Sequence, residues 1–339
     1  MTPLLPIAVH GLRLTDYSFM RKYAGTFIKL GVTAVALLLV FREVDVRQIV
    51  AAIGQAQWGW VLLAFGLVNA SVVLRAYRWR FLLVALGATV RFGRLVELYF
   101  AAGFFNSVLP SGLAGDVVRA VEAAQDVPAD VAAGTVIVDR LTGLLALFML
   151  ALVALPFRPA YFPTALLAQI VVICVVGLVG GMVLLQGGLV RQVGRLVPDR
   201  LRPFWRKIEM VLTAVAACGW RAIGAALAVS VLFNLMQIGW WWCAGKALGY
   251  DVPVSVYFYT TPLMALATLM PSIGGLGVRE QLSLLLFAPA GLTPGEAVAL
   301  SLLVFALERG SGLLGAPIYM AAVVRQNRAR RHLDSTRRT

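Results

Sequence analysis

Six long apolar runs, each near the roughly 20 residues that cross a bilayer, constrain this chain more than any other feature. They cover residues 24–41, 58–74, 131–155, 165–185, 222–245 and 297–324. Of the 339 residues, 60% are hydrophobic and only 14% charged, too little charge to clothe a soluble domain of this size. Residues 24–41 are long for a signal-peptide core and lack a small-x-small cleavage site, so they read as a retained anchor. The chain reads as an all-α polytopic membrane protein.

A net charge of +14 in a soluble chain would point to nucleic acid, but here the placement of the charge argues otherwise. Four clusters hold 21 of the 30 Lys and Arg residues: Arg13 to Lys29, Arg75 to Arg94, Arg191 to Lys207, and Arg325 to Arg338. That is the pattern of cytoplasmic loops under the positive-inside rule, with both termini cytoplasmic and no nucleic-acid partner. Cys174, Cys218 and Cys243 stand singly beside or within apolar runs and read as packing residues. The two histidines, His10 and His332, lie in polar tails, which disfavours a metal site or histidine-dependent catalysis. No cofactor is expected.

Two further apolar regions are broken. Residues 95–109 run into Pro110-Ser111-Gly112-Leu113-Ala114-Gly115 and then a polar leg with Asp116 and Arg119. Residues 254–270 run into Pro271-Ser272-Ile273-Gly274-Gly275-Leu276-Gly277 and then a leg with Arg279 and Glu280. If all four basic clusters are cytoplasmic, each broken region must enter and leave by the same side. Two re-entrant hairpins satisfy that parity, since irregular backbone at membrane depth is tolerated where protein or a wet cavity buries it.

The halves also resemble each other. Ala85-Leu86-Gly87 ends 23 residues before Pro110-Ser111, and Ala247-Leu248-Gly249 ends 22 before Pro271-Ser272. Further on, Asp139-Arg140-Leu141-Thr142-Gly143-Leu144-Leu145 matches Glu308-Arg309-Gly310-Ser311-Gly312-Leu313-Leu314. Three matches in one order make an internal repeat. The expected organisation is a cytoplasmic tail over 1–23, a first repeat over 24–156 with its hairpin at about 95–127, a second over 164–324 with its hairpin at about 254–290, and a basic tail over 325–339. The first repeat begins inside and the second outside. Six spans and two hairpins in inverted repeats are a recurring plan of secondary transporters.

Four arginines fall inside the repeated motifs: Arg119, Arg140, Arg279 and Arg309. An arginine at mid-membrane costs about 2.5–3.5 kcal/mol, so each needs a partner. Asp116, Asp139, Glu280 and Glu308 are the candidate partners or coupling groups. Adjacent residues on a helix diverge, so pairing between elements is expected over Asp139–Arg140 and Glu308–Arg309. Such pairs either fix helix register or trade carboxylates for a substrate phosphate, which guanidinium binds bidentately. Asn106, Ser111, Gly115, Ser272, Gly274, Gly275 and Gly277 complete the candidate binding set, because helix N-termini at the breaks would favour an anion. Trp240-Trp241-Trp242 reads as an interface belt.

On these motifs the chain resembles the lysylphosphatidylglycerol synthase transmembrane family, the flippase-like membrane domain of multiple peptide resistance proteins. The likeness is carried by residues 74–80 (Leu-Arg-Ala-Tyr-Arg-Trp-Arg), residues 105–119, Asp139-Arg140, residues 271–280 and Glu308-Arg309, and covers roughly 20–325. Only fifteen residues follow Val324, so a soluble aminoacyl-transferase domain is not expected. The resemblance implies translocation of a lipid in a bacterial inner membrane. The expected cargo is an anionic, phosphate-bearing lipid, aminoacylated or not. Two other roles stay open: the membrane subunit of a lipid-modifying enzyme, and a lipid-binding accessory protein that serves a lipid-synthesising partner.

Overall fold

The computed structural model describes residues 38, 46–109, 114–158, 164–186, 202–267, 275–322 and 324–325. Nearly all of the expected first span and both tails lie outside these residues, as do 110–113 and 268–274 at the two breaks. Among the described residues the α-helices are α1 (Val46–Gly54), α2 (Trp58–Ala85), α3 (Phe92–Val108), α4 (Ala114–Ala123), α5 (Ala129–Ala154), α6 (Thr164–Gln186), α7 (Arg202–Ala247), α8 (Val254–Leu266), α9 (Val278–Phe287) and α10 (Pro294–Leu313). Among the described residues, five helical stretches are long and apolar enough to cross a membrane: Trp58–Ala85, Ala129–Phe157, Leu167–Leu184, Ala217–Ala247 and Pro294–Ala322. They coincide with five of the six expected spans.

Local sequence explains where these helices begin and end. Thr293 accepts the Glu296 amide while the Glu296 carboxylate accepts the Thr293 amide, and Pro294 supplies a preset first turn for α10. Pro128 and Pro253 stand one position earlier, as the N-cap residues of α5 and α8. Gly219, at φ 72°, breaks α7, so its spanning part begins near Ala217. The helices α2 and α7 end alike. Gly87 and Gly249 adopt φ 74° and 77°, while the amides of Ala88 and Tyr250 reach back to the carbonyls of Leu83 and Gly245 at 3.0 and 2.9 Å. Alanine at either glycine is expected to cost about 1 kcal/mol, the two adding, read as the thermal midpoint of detergent-solubilised protein.

The helices α3 and α4 fold as an antiparallel hairpin. At one end the Gly115 amide donates to Asn106 Oδ1 at 2.8 Å; at the other, Arg94 pairs with Glu122 at 3.0 Å and Asp126 at 3.2 Å. At 1.5 Å per residue, the 17 residues of α3 and 10 of α4 are shorter than the roughly 30 Å of hydrocarbon.

Packing follows a regular scheme. The helices α2 and α7 lie against each other at the centre. Exchanging α1 to α5 for α6 to α10 carries most packed pairs into packed pairs. Thus α2 on α3 answers α7 on α8, α4 on α5 answers α9 on α10, and α3 on α10 answers α8 on α5. The largest apolar core joins α2, α5, α7, α8, α9 and α10 through residues such as Val68, Phe148, Trp241, Tyr257, Phe287 and Leu300. A second core knits α2 to the first hairpin through Trp79, Leu83, Leu98 and Tyr99. Along α6, Val172, Ile173, Val175, Val176 and Val179 remain exposed, an apolar outer face of the kind that lipid covers.

Candidate functional site

Asp139 on α5 anchors the polar interior. It is 1% exposed, and it accepts Arg78 Nε at 2.7 Å, an Arg119 N–H at 2.9 Å and the Tyr99 hydroxyl. Arg119 lies over the rings of Trp79 at 4.7 Å and Tyr99 at 4.3 Å. Trp79 in turn donates its indole N–H to Thr135 at 3.0 Å. A buried guanidinium is thus held by an aromatic floor, a carboxylate and charge-assisted hydrogen bonds.

The second half repeats the arrangement. Arg279 pairs with Glu308 at 3.0 Å, donates to the Ser301 carbonyl at 2.9 Å and lies over Trp241 at 5.6 Å. Trp79 stands eight residues before Gly87 and Trp241 eight before Gly249. In both halves an indole, a hairpin arginine and the acid of the acid-Arg motif meet.

Between these clusters lies a cavity of about 530 Å³, within the usual range of ligand pockets. Both halves line it. From α2, α4 and α5 come Arg75, Arg78, Asp116, Arg119, Asp139 and Arg140; from α7 and α10 come Asn234, Gln237, Phe305, Glu308 and Arg309. Arg140 pairs with Asp116 across elements. Arg309 donates to the Asn106 carbonyl at 2.7 Å and lies over Phe305. Among the described residues, five arginines and three carboxylates therefore surround one space, every cation presenting N–H donors.

Several expectations are corrected by this geometry. Arg75 and Arg78 do not sit in a cytoplasmic loop, because α2 runs on to Ala85 and carries both into the interior. Trp240 and Trp241 are 3% and 1% exposed, so they are core residues and not an interface belt. The glycine amides offered to an anion are already spent: Gly115 donates to Asn106, and Gly277 donates to Glu280 at 2.5 Å. Gly115, Gly275 and Gly277 do not line the cavity. Glu280, fully buried, caps its own helix and accepts Ser301 Oγ at 2.8 Å instead of facing the cavity. Arg279 stands behind Glu308, outside the lining. Ser111, Ser272 and Gly274 fall outside the described residues.

Arg75, Arg78, Tyr99 and Trp79 were absent from the sequence-derived set. The available signal was the lack of any Pro, Gly or turn residue between Leu74 and Ala85, which lets the helix continue. On that helix Arg75 and Arg78, three apart, share a face.

Comparison with known proteins gives two matches. The family model described as "Lysylphosphatidylglycerol synthase TM region" matches residues 26–309, which takes in Arg75 through Arg309 of the cavity. The UPF0104 membrane protein MJ1595 of Methanocaldococcus jannaschii is 24% identical over 314 residues, covering 81% of this chain and 91% of the relative.

Proposed function

The chain belongs to the lysylphosphatidylglycerol synthase transmembrane-region family, and on that premise we propose that it carries a phosphate-bearing lipid across the inner membrane. The observation that carries this reading is the arginine-rich cavity shared by the two halves. Water would solvate such charges on a surface; inside a membrane bundle they are expensive, and their usual role is a substrate pathway. A lipid phosphate entering the cavity takes the N–H donors of Arg140 from Asp116 and those of Arg309 from the Asn106 carbonyl. Arg119, on the first hairpin leg, gates the site by exchanging Asp139 for the phosphate, while Arg279 on the second holds Glu308 from behind. Asp116, Asp139 and Glu308 hold charge when the cargo is absent, and one of them carries the coupling proton.

The architecture supports alternating access. Two inverted repeats account for the exchange of packed pairs, the paired ends of α2 and α7 and the twin indole-arginine-acid clusters. Hairpins of short helices fit re-entrance from one side, and Arg80, Arg91 and Arg94, around the turn between α2 and α3, support cytoplasmic termini.

The test is headgroup accessibility in proteoliposomes. Vesicles carry headgroup-labelled anionic lipid, and a membrane-impermeant quencher is added outside. Wild-type protein is expected to remove inner-leaflet protection, whereas Arg140→Ala with Arg309→Ala retains it. Equal exchange by the double variant would overturn the proposal. A second reading, the membrane subunit of a lipid-modifying enzyme, is favoured by the synthase named in the family description. Protection retained by wild type, together with a stoichiometric enzyme partner on purification, would select it.

A further inference from the structure

Two guanidiniums in the cavity have no carboxylate of their own. Arg75 meets only the rings of Tyr99 at 5.7 Å and Phe233 at 5.1 Å among the described residues, and its Nε is buried with no hydrogen-bond partner. Arg309 makes its single hydrogen bond among the described residues to a neutral carbonyl, because the neighbouring Glu308 is turned to Arg279. The other arginines are matched: Arg78 and Arg119 by Asp139, Arg119 and Arg140 by Asp116, and Arg279 by Glu308. Counting Arg279 and Glu280 behind the lining, six arginines meet four carboxylates, so among the described residues the excess is two positive charges with or without that pair.

From this excess we infer that the cavity is built for a dianionic terminal phosphate, a phosphomonoester or diphosphate. It is not matched to the monoanionic phosphodiester of an ordinary phospholipid, nor to an aminoacylated headgroup that carries net positive charge. The inference deepens the transport reading and rests on it for the cargo being a lipid. A phosphodiester leaves one of the two guanidiniums unpaired in a low-dielectric space, and a cationic headgroup meets repulsion from both. A terminal phosphate presents three oxygens and two charges, enough for Arg75 and Arg309 to bind from opposite halves at once. Phe233 and Phe305 lie beneath these two guanidiniums at 5.1 and 4.9 Å.

The experiment is equilibrium binding to the full chain in phosphatidylcholine nanodiscs, with phosphatidic acid, phosphatidylglycerol, lysylphosphatidylglycerol and glycerol 3-phosphate as probes. Phosphatidic acid is expected to bind about tenfold or more tighter than phosphatidylglycerol at pH 8, from one extra charge in a desolvated site. The advantage is expected to vanish at pH 5, below the second phosphate ionisation near about 6. Arg75→Gln should remove most of it while phosphatidylglycerol binding persists, and Arg75→Lys, which keeps the charge, should retain it. Equal affinities for phosphatidic acid and phosphatidylglycerol, or tightest binding of lysylphosphatidylglycerol, overturn this inference and leave lipid transport standing. Glycerol 3-phosphate binding as tightly as phosphatidic acid supports the dianion but overturns a lipid source. Binding of none of the four overturns both readings.

Discussion

Asp139→Ala is expected to be the most damaging single substitution in the protein, lowering stability by about 3–5 kcal/mol. Its carboxylate answers Arg78, Arg119 and the Tyr99 hydroxyl together, and removing it leaves two buried guanidiniums with Asp116 as the one carboxylate still within reach among the described residues. Arg78 retains Ser230 Oγ at 2.9 Å and Arg119 retains Asp116 at 3.4 Å, neither sufficient to offset the loss. The matching change in the second half, Glu308→Ala, is expected to cost much less. The Glu308 side chain is 31% exposed, and Arg279 keeps the Ser301 carbonyl and the nearby Glu280. Thermal midpoints of the two variants in detergent separate these cases. Equal losses would mean that the halves share the load evenly, contrary to the hydrogen-bond geometry.

Gly312→Leu is expected to abolish transport and to cost about 1–3 kcal/mol, because α10 and α3 touch through backbone there. A Cβ on Gly312 would stand 2.8 Å from the Gly103 carbonyl oxygen and press on Ser107; one on Gly315 would lie 2.7 Å from the Phe100 carbonyl carbon. Neither neighbour is the end of a flexible side chain, so the helices must part. Parting them breaks the Arg309–Asn106 hydrogen bond and opens the cavity wall. Gly66→Leu is the control, since nothing stands within 4 Å of a Cβ there. Proteoliposome exchange and size-exclusion profiles of the two variants check the claim. Transport by Gly312→Leu at the Gly66→Leu rate would show that this contact does not shape the path.

The spans were legible because roughly 20 apolar residues in a row have few other uses. Arg119, Arg140, Arg279 and Arg309 stood out for the complementary reason, charge where charge is costly. Arg75 and Arg78 escaped because a count of basic residues after an apolar run treats each as a loop residue. It does not ask whether anything between Leu74 and Ala85 could end the helix. Trp241 escaped because a run of three tryptophans resembles a belt, although its spacing to Gly249 equals that of Trp79 to Gly87. The amides at the breaks were assigned to an anion from helix polarity alone. Glu280, three residues after Gly277, already had the spacing of a capping box, and its carboxylate claims that amide. Depth in the bundle and the identity of facing side chains are tertiary facts, which local pattern does not contain.

The central claim is that the cavity between the halves receives the lipid phosphate. It is tested most directly by photolabelling with an anionic lipid bearing a diazirine beside its phosphate, followed by peptide mapping of the adducts. The account predicts adducts on α2 and α10 peptides near Arg75 and Arg309, lost on competition with unlabelled lipid. Adducts confined to the outer face of α6, around Val176, and insensitive to competition would contradict it.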